Sequence, residues 1–139
     1  MAREVFVDAG AWIAIAVTGD DHHGAAVGYY QQLLRQPDNL VTTNLVIAEA
    51  YVGIHRAGGH SRAMIFLTSL GQSNRLVKVF SDADLEAQAE LILARYSDHD
   101  LSFADAVSFA VMRQRDITDA FAFDRHFLTA GFALRPARS

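Results

Sequence analysis

Four acidic residues stand where a carboxylate could bind a metal ion: Asp8, Glu49, Asp105 and Asp124. Asp8 directly follows the apolar run VFV, and Asp124 directly follows AFAF. Short apolar runs of this kind are typical of strands buried in a parallel sheet. Ligands bind at the carboxyl ends of such strands. We therefore expect Asp8 and Asp124 to lie at one edge of the sheet if their strands are neighbours.

The other two carboxylates belong to predicted helices. Glu49, in LVIAEAYVGI, is the only Asp, Glu, Lys or Arg between Asp38 and Arg56, so its helix is expected to be apolar nearly all round and buried. A buried, unpaired carboxylate is too costly to keep, which makes a metal ion an economical partner. Asp105, in LSFADAVSFAVM, lies three residues after Ser102 in the first turn of another helix.

Each of these residues also has a purely structural interpretation. Asp8 and Asp124 could begin strand-to-helix turns, which Asp favours. Asp105 could complete a capping box with Ser102, and Glu49 could be neutral or paired with a distant Arg. If all four converge, each pair at ~5 Å costs roughly 3 kcal/mol at an effective dielectric of 20. Their gathering would therefore imply Mg²⁺ or Mn²⁺, hard ions that take oxygen ligands.

Other polar and aromatic residues are weaker candidates. The tract Asp20–His23 could be a metal site but is more typical of a solvated loop that opens a helix. Asp100 could contact the site, and His126 could face a substrate, although a histidine at a helix start is usually on the surface. The phenylalanines are predicted to be core residues rather than a base-stacking platform: Phe103, Phe109, Phe121, Phe123 and Phe127.

The composition predicts one globular domain spanning residues 1–139. The chain is 51% hydrophobic and 20% charged, and it has no cysteine, which excludes disulfide, Cys-ligated metal and thiol-nucleophile chemistry. A net charge of −4 argues against a protein that binds nucleic acid over its whole surface, but a bound metal ion would supply positive charge at one site. No apolar run reaches the ~18 residues of a membrane span. We expect a cytoplasmic protein.

Strands alternate with helices along the chain. Strands are expected at Glu4–Val7, Leu40–Thr42, Arg75–Phe80, Thr118–Phe123 and Phe132–Leu134. Helices are expected over Ala11–Val17, Ala25–Arg35, Leu45–Ala57, Ser61 to about Leu70, Asp82 to Tyr96, Ser102 to about Arg115, and Arg125–Ala130. Predicted N-caps are Asn44, Ser61, Ser81 or Asp82, and Ser102. This alternation predicts a three-layer α/β/α fold with a mainly parallel sheet of four or five strands.

Four segments resemble, in order and spacing, the sequence blocks of PIN-domain ribonucleases: VFVDAGAWIA, TTNLVIAEAYV, LSFADAVSFAVM and AFAFDRHF. The similarity runs from residue 5 to about residue 134, and the length resembles the toxins of VapBC-type toxin–antitoxin modules. The resemblance implies Mg²⁺-dependent endoribonuclease activity. It also implies an acidic site on Asp8, Glu49, Asp105 and Asp124, with Ser102 supporting Asp105.

Under this resemblance the carboxylates have distinct expected tasks. An ion held by Asp8 and Asp105, and bridged to Glu49, would polarise a water molecule and the scissile phosphate. A second ion near Asp124 would stabilise the leaving oxygen. RNA as the substrate is implied by the resemblance alone, and an unpaired loop would suit a groove at the sheet edge.

Protein partners are also expected. A toxin-like nuclease needs an inhibitor to be tolerated, so we expect an antitoxin that binds as an amphipathic or extended segment. The apolar stretches Leu45–Ile54 and Met64–Leu70 exceed what a small sheet covers, and exposed apolar faces mark interfaces. The expected occupants are an antitoxin or a second copy in a homodimer.

The chain departs from the family pattern at two places. Ala122 stands two positions before Asp124, where a hydroxyl residue is frequent, and Ala9 and Gly10 follow Asp8, where Ser or Thr is frequent. Such hydroxyls orient carboxylates and metal-bound water. The departures therefore bear on a second metal more than on the activity.

Three alternatives compete with the toxin hypothesis. The first is a catalytically weak PIN-fold scaffold that binds a partner, and the second is a non-toxin PIN-domain nuclease in RNA processing. The third is a receiver-type phospho-acceptor domain, which also gathers acids at strand ends. That class needs a Lys after a late strand, and no Lys follows Lys78.

Overall fold

The computed structural model describes residues 3–137, which form one sheet and flanking helices. Within this range the five strands β1 to β5 span Glu4–Val7, Asn39–Thr43, Leu76–Val79, Asp119–Phe121 and Ala133–Arg135. The seven helices α1 to α7 span Ala9–Ala16, His23–Leu34, Asn44–Gly58, His60–Gln72, Ala83–Arg95, Phe103–Gln114 and His126–Thr129. The predicted alternation of strands and helices is confirmed.

The strands lie in the order β3-β2-β1-β4-β5, and every neighbouring pair is parallel. The chain first moves outward from β1 through β2 to β3, and it then returns to the other side of β1 to add β4 and β5. The strand order therefore reverses between β1 and β4. In open α/β sheets, ligands bind at such a switch point, beyond the carboxyl ends of the strands.

Helices cover both faces of the sheet. Phe6 of β1 pairs in register with Ala120 of β4, so its side chain lies on the opposite face from that of Phe121. The α2 residue Tyr29 packs edge-on against Phe121. On the other face Phe127 contacts Phe6, and Phe109 of α6 packs edge-on against Phe127. The three-layer α/β/α architecture is thus confirmed, with five strands.

Two predicted N-caps are wrong. Thr43, not Asn44, caps α3, and its Oγ1 accepts a hydrogen bond from the Val46 backbone N–H at 3.1 Å. Asn44 instead accepts from the Ser81 backbone N–H, because its side chain is in reach of the loop after β3. Helix α4 begins at His60 rather than at Ser61, after a glycine N-cap with a positive φ of 88°.

Two other N-caps, and most of the core, follow the prediction. The side chain of Asp82 caps α5 through the Leu85 backbone N–H at 2.9 Å, and Ser102 caps α6. Among the phenylalanines predicted to be buried, Phe103 is wrong: its ring is 40% exposed because it occupies the first position of α6. In the part of the chain that is described, no helix is long and apolar enough to cross a membrane.

Candidate active site

Asp8 lies at the junction between β1 and α1, beside the end of β4. Its backbone N–H donates to the Phe121 carbonyl at 3.0 Å, and its side chain makes no N-capping hydrogen bond to α1. The residue is only 7% exposed. The pKa of the Asp8 carboxyl is raised to about 7, chiefly by burial and also by the charges of Asp105, Asp124 and Glu49, while the Ala9 backbone N–H acts to lower it. A structural turn residue would not need this arrangement.

Asp124 lies three residues beyond β4, because the strand ends at Phe121 rather than at the predicted Phe123. Its Oδ1 accepts a hydrogen bond from the His126 backbone N–H at 2.9 Å, which closes the turn into α7. Since β1 and β4 are parallel neighbours, Asp8 and Asp124 extend from the same end of the sheet. The proximity of these two carboxylates was predicted from their strand-end positions.

Asp105 combines a capping role with a place in the acidic cluster. Its Oδ2 accepts from the Ser102 backbone N–H at 3.2 Å, while Ser102 Oγ accepts from the Asp105 backbone N–H at 3.0 Å. The capping box named as the structural alternative is therefore present. Burial nevertheless raises the pKa of the Asp105 carboxyl, and Asp124 adds to the rise, whereas the Ser102 hydrogen bonds lower it. The capping bond holds the carboxylate towards the cluster.

Glu49 reaches the cluster from α3, but its predicted burial is wrong. The buried side of α3 comprises Val46, Ile47, Ala50 and Ile54, and Glu49 lies outside it and is exposed. The apolar sequence around it misled the prediction because the exposed face of α3 also carries apolar residues such as Val52. Partial desolvation raises the pKa of Glu49, and the charge of Asp105 raises it further. Glu49 thus approaches the site from the solvent side.

His126 is a residue of the site that the sequence interpretation placed on the surface. Its ring Nδ1 lies 3.1 Å from Asp124 Oδ1 and 3.7 Å from Asp105 Oδ2. Candidate ligand atoms of Asp105, Asp124 and His126 all lie within 4.8 Å of one another. The signal in the sequence was its position two residues after Asp124, but the side-chain direction in a one-turn helix depends on tertiary packing.

Asp119 shows by contrast how this fold handles a structural carboxylate. It is 4% exposed, at the first residue of β4, and it forms ion pairs with Arg3 and with Arg135. Among residues 3–137, no Lys or Arg forms an ion pair with Asp8, Asp105 or Asp124. In the described residues the cluster thus lacks the arginine partners that the fold provides for Asp119.

The weaker candidates have structural roles or none in the described contacts. Asp20 accepts from the His22 backbone N–H at 2.8 Å and so closes the turn that opens α2. His22 stacks on Phe123 with ring centroids 4.1 Å apart, and His23 Nδ1 lies 2.7 Å from the Ala14 carbonyl oxygen. Asp100 is exposed. The tract Asp20–His23 is therefore a loop and helix start, as the solvated-loop interpretation expected.

The two departures from the family pattern differ in how much space surrounds them. Ala122 is 2% exposed, so a hydroxyl there would need a partner within the packed interior. At Gly10 a Cβ atom would meet no heavy atom within 4 Å. A serine side chain at position 10 would therefore fit without displacing a neighbour.

The donor set fits a hard divalent cation. Carboxylate oxygens are the ligands that Mg²⁺ and Mn²⁺ prefer, and three carboxyl groups here have raised pKa values because burial and mutual repulsion disfavour their charged forms. The buried Nδ1 of His126 has no hydrogen-bond partner among the described residues. A cation at this position would satisfy the orphaned nitrogen and relieve the repulsion.

Comparisons with known proteins agree with this arrangement. The family model for the PIN domain matches residues 5–133. The 23S rRNA-specific endonuclease VapC20 of Mycobacterium tuberculosis is 38% identical over 133 residues, which cover 95% of this chain and 98% of the relative.

Solved structures give the same result. The crystal structure of M. tuberculosis VapC20, described as a sarcin–ricin loop cleaving toxin, superposes with a TM-score of 0.85 at 36% identity, covering 93% of this chain and 96% of that one. Two more distant structures share the fold. VapBC2 from Rickettsia felis has 10% identity and a TM-score of 0.68, covering 95% of this chain and 97% of that one. FitAcB from Neisseria gonorrhoeae has 17% identity and a TM-score of 0.62, covering 94% of this chain and 95% of that one. The chain with its strand-end acidic cluster belongs to the PIN-domain family.

Proposed function

We propose that the chain, as a single domain over residues 1–139, is a Mg²⁺-dependent endoribonuclease and the toxin of a toxin–antitoxin pair. The observation that carries this proposal is the buried Asp8 carboxyl, which is surrounded by the charges of three further acids and has no Lys or Arg partner among residues 3–137. Family membership and the full-length similarity to an rRNA endonuclease support the same activity. Mn²⁺ is the expected substitute for Mg²⁺.

The proposed roles follow from the position of each carboxylate. Asp8, Asp105 and Asp124 hold the cation from the protein side, and Glu49 completes the ligand set from the solvent side. The Ser102 backbone N–H donates to the Asp105 carboxylate and keeps it in place, while Ser102 Oγ caps the same turn. A divalent ion bound there supplies Lewis-acid stabilisation of the scissile phosphate and lowers the pKa of water. No histidine is required as a general base.

We infer that the substrate is an exposed loop of ribosomal RNA. The related M. tuberculosis enzyme is named for 23S rRNA and for the sarcin–ricin loop, and the similarity spans nearly the whole of both chains. The cluster lies beyond the carboxyl ends of β1 and β4 and has Glu49 on its solvent side, and a loop can present a splayed nucleotide to such a site. The net charge of −4 is consistent with RNA binding that depends on bound metal.

An antitoxin and a second copy of the chain are the proposed protein partners. Large apolar side chains remain exposed on the predicted stretches, including Val52 at 44%, Met64 at 42% and Ile65 at 66%. A groove of about 510 Å³ beside α4 is lined in part by Trp12 and Phe66. One of the structures that share the fold is a VapBC complex. These apolar surfaces suit a bound amphipathic or extended segment.

The test is cleavage of a synthetic sarcin–ricin loop hairpin by the purified chain. We expect one major cut in the loop with Mg²⁺ or Mn²⁺, no cut in excess EDTA, and at least a hundredfold slower cleavage by Asp105→Asn, because removal of one ligand charge weakens metal binding. A scrambled hairpin of the same length controls for sequence-independent cutting. Undiminished cleavage in EDTA would contradict the metal mechanism, and the absence of any cleavage would favour the partner-binding scaffold.

A further inference from the structure

The histidine at the start of α7 faces the acidic cluster with a nitrogen that has no partner. His126 Nδ1 is buried and makes no hydrogen bond within residues 3–137, although Asp124 Oδ1 is only 3.1 Å away. That same oxygen, Asp124 Oδ1, already accepts a hydrogen bond from the backbone N–H of His126. An orphaned, buried imidazole nitrogen among carboxylate oxygens is costly unless another group binds to it.

The spacing of the surrounding atoms matches the coordination sphere of a small cation. Adjacent ligands of a six-coordinate ion with bonds of about 2.1 Å lie about 3 Å apart. Nδ1 lies 3.1 Å from Asp124 Oδ1 and 3.7 Å from Asp105 Oδ2, and ligand atoms of all three residues fall within 4.8 Å. The three side chains come from α6, from the loop after β4 and from the start of α7.

We propose that His126 Nδ1 is a direct ligand of the divalent ion, so that Asp105, Asp124 and His126 form a mixed nitrogen and oxygen site. This inference rests on the proposed metal-dependent function and goes beyond it by assigning a ligand that is not a carboxylate. Imidazole suits transition metals, whereas Mg²⁺ prefers all-oxygen ligands. The site should therefore bind Mn²⁺ more tightly than Mg²⁺, and His126 should be the cause of that preference.

A competing role for His126 is that of a protonated cation that holds Asp105 and Asp124 together. That role requires an N–H directed at a carboxylate oxygen, and Nδ1, the ring nitrogen that faces the two carboxylates, makes no such hydrogen bond to any described residue. The two roles also differ in what they predict for metal binding. Loss of a ligand weakens Mn²⁺ more than Mg²⁺, whereas loss of a competing cation leaves both unchanged or strengthens both.

The experiment is titration of the full chain with MnCl₂ and with MgCl₂ by calorimetry, for wild type, His126→Gln and His60→Gln. His60 is the matched control because it is exposed at the start of α4. We expect His126→Gln to raise the Mn²⁺ Kd at least tenfold and the Mg²⁺ Kd less than threefold, while His60→Gln matches wild type. Equal changes for the two ions, or none, would overturn the ligand assignment.

Pulsed EPR of the Mn²⁺-loaded wild type provides a readout that does not depend on a variant. A directly bound imidazole gives a ¹⁴N hyperfine coupling, which we expect in wild type and in His60→Gln and not in His126→Gln. Mn²⁺ binding without that coupling would overturn the proposal and leave the carboxylate site intact. If wild type bound neither ion, the proposed function would fail as well.

Discussion

Asp8 is the residue whose environment departs most from that of an ordinary surface acid. Its carboxyl is buried, caps no helix and has a pKa of about 7 instead of 3.8. Asp119 is equally buried, but two arginines pair with it. A free carboxyl in the interior destabilises the fold when it is ionised, which is a cost that a bound cation removes.

The raised pKa of Asp8 predicts how the metal-free protein depends on pH. The folded state retains a proton between pH 4 and pH 7 that the unfolded chain has lost, so the free energy of unfolding falls as pH rises through that interval. The full effect of this shift is on the order of 4 kcal/mol. In Asp8→Asn, most of this decrease in the free energy of unfolding with rising pH should be absent. Urea unfolding in EDTA at pH 5, 6, 7 and 8 measures this.

The control for that series is Asp98→Asn, since Asp98 is an exposed carboxyl in the loop before α6. Its pH profile should match that of wild type. A wild-type stability that stays constant or rises from pH 5 to pH 8, or an Asp8→Asn profile that declines as wild type does, would show that Asp8 is not the buried acid described here.

Helix α6 carries both a capping motif and a residue of the acidic cluster, Asp105. Ser102→Ala removes the hydrogen bond from the Asp105 backbone N–H to Ser102 Oγ. We expect it to lower the free energy of unfolding by about 1 kcal/mol and to weaken Mg²⁺ binding about tenfold, because the loss of the cap loosens the first turn of α6, which carries the Asp105 carboxylate. Ser102→Thr keeps a hydroxyl cap and should restore both. Urea unfolding and calorimetry measure the two effects.

Asp82→Ala separates helix capping from metal binding. Asp82 caps α5 in the same way that Ser102 caps α6, but it is not one of the acids around Asp8. Asp82→Ala should lower the free energy of unfolding by about as much as Ser102→Ala does, and it should leave the Mg²⁺ affinity unchanged. Equal weakening of metal binding by Asp82→Ala and Ser102→Ala would mean that the Ser102 effect is only a general loss of stability.

The limits of sequence prediction also appear at the scale of elements. The alternation of strands with helices predicts a parallel sheet, and it places Asp8 and Asp124 correctly. Neighbouring parallel strands end at the same edge of the sheet whatever the details of packing. The predicted burial of Glu49 is wrong because apolar residues lie on both the buried and the exposed faces of α3. His126 was underestimated because a one-turn helix has no periodicity from which a side-chain direction can be read. Tertiary packing decided both of these features.

At the scale of the whole molecule, the sheet order explains why these residues meet. The order β3-β2-β1-β4-β5 makes β1 and β4 neighbours although more than a hundred residues separate them in sequence. Helices α3 and α6 then add Glu49 and Asp105 to the same edge. The cluster exists only in the folded chain, so a cation that binds it must stabilise the whole fold by mass action.

Thermal unfolding of wild type and Asp105→Asn, with Mg²⁺ raised in tenfold steps, tests the metal site most directly. We expect a rising Tm for wild type, equivalent to about 2.7 kcal/mol at a hundred times the Kd, and a much smaller rise for Asp105→Asn. Without Mg²⁺ the variant should be as stable as wild type or more so, because a repelling charge is gone and an Asn oxygen can still accept from the Ser102 N–H. An unchanged wild-type Tm, or an Asp105→Asn protein less stable by about 1 kcal/mol without metal, would reduce Asp105 to a capping residue and contradict the account.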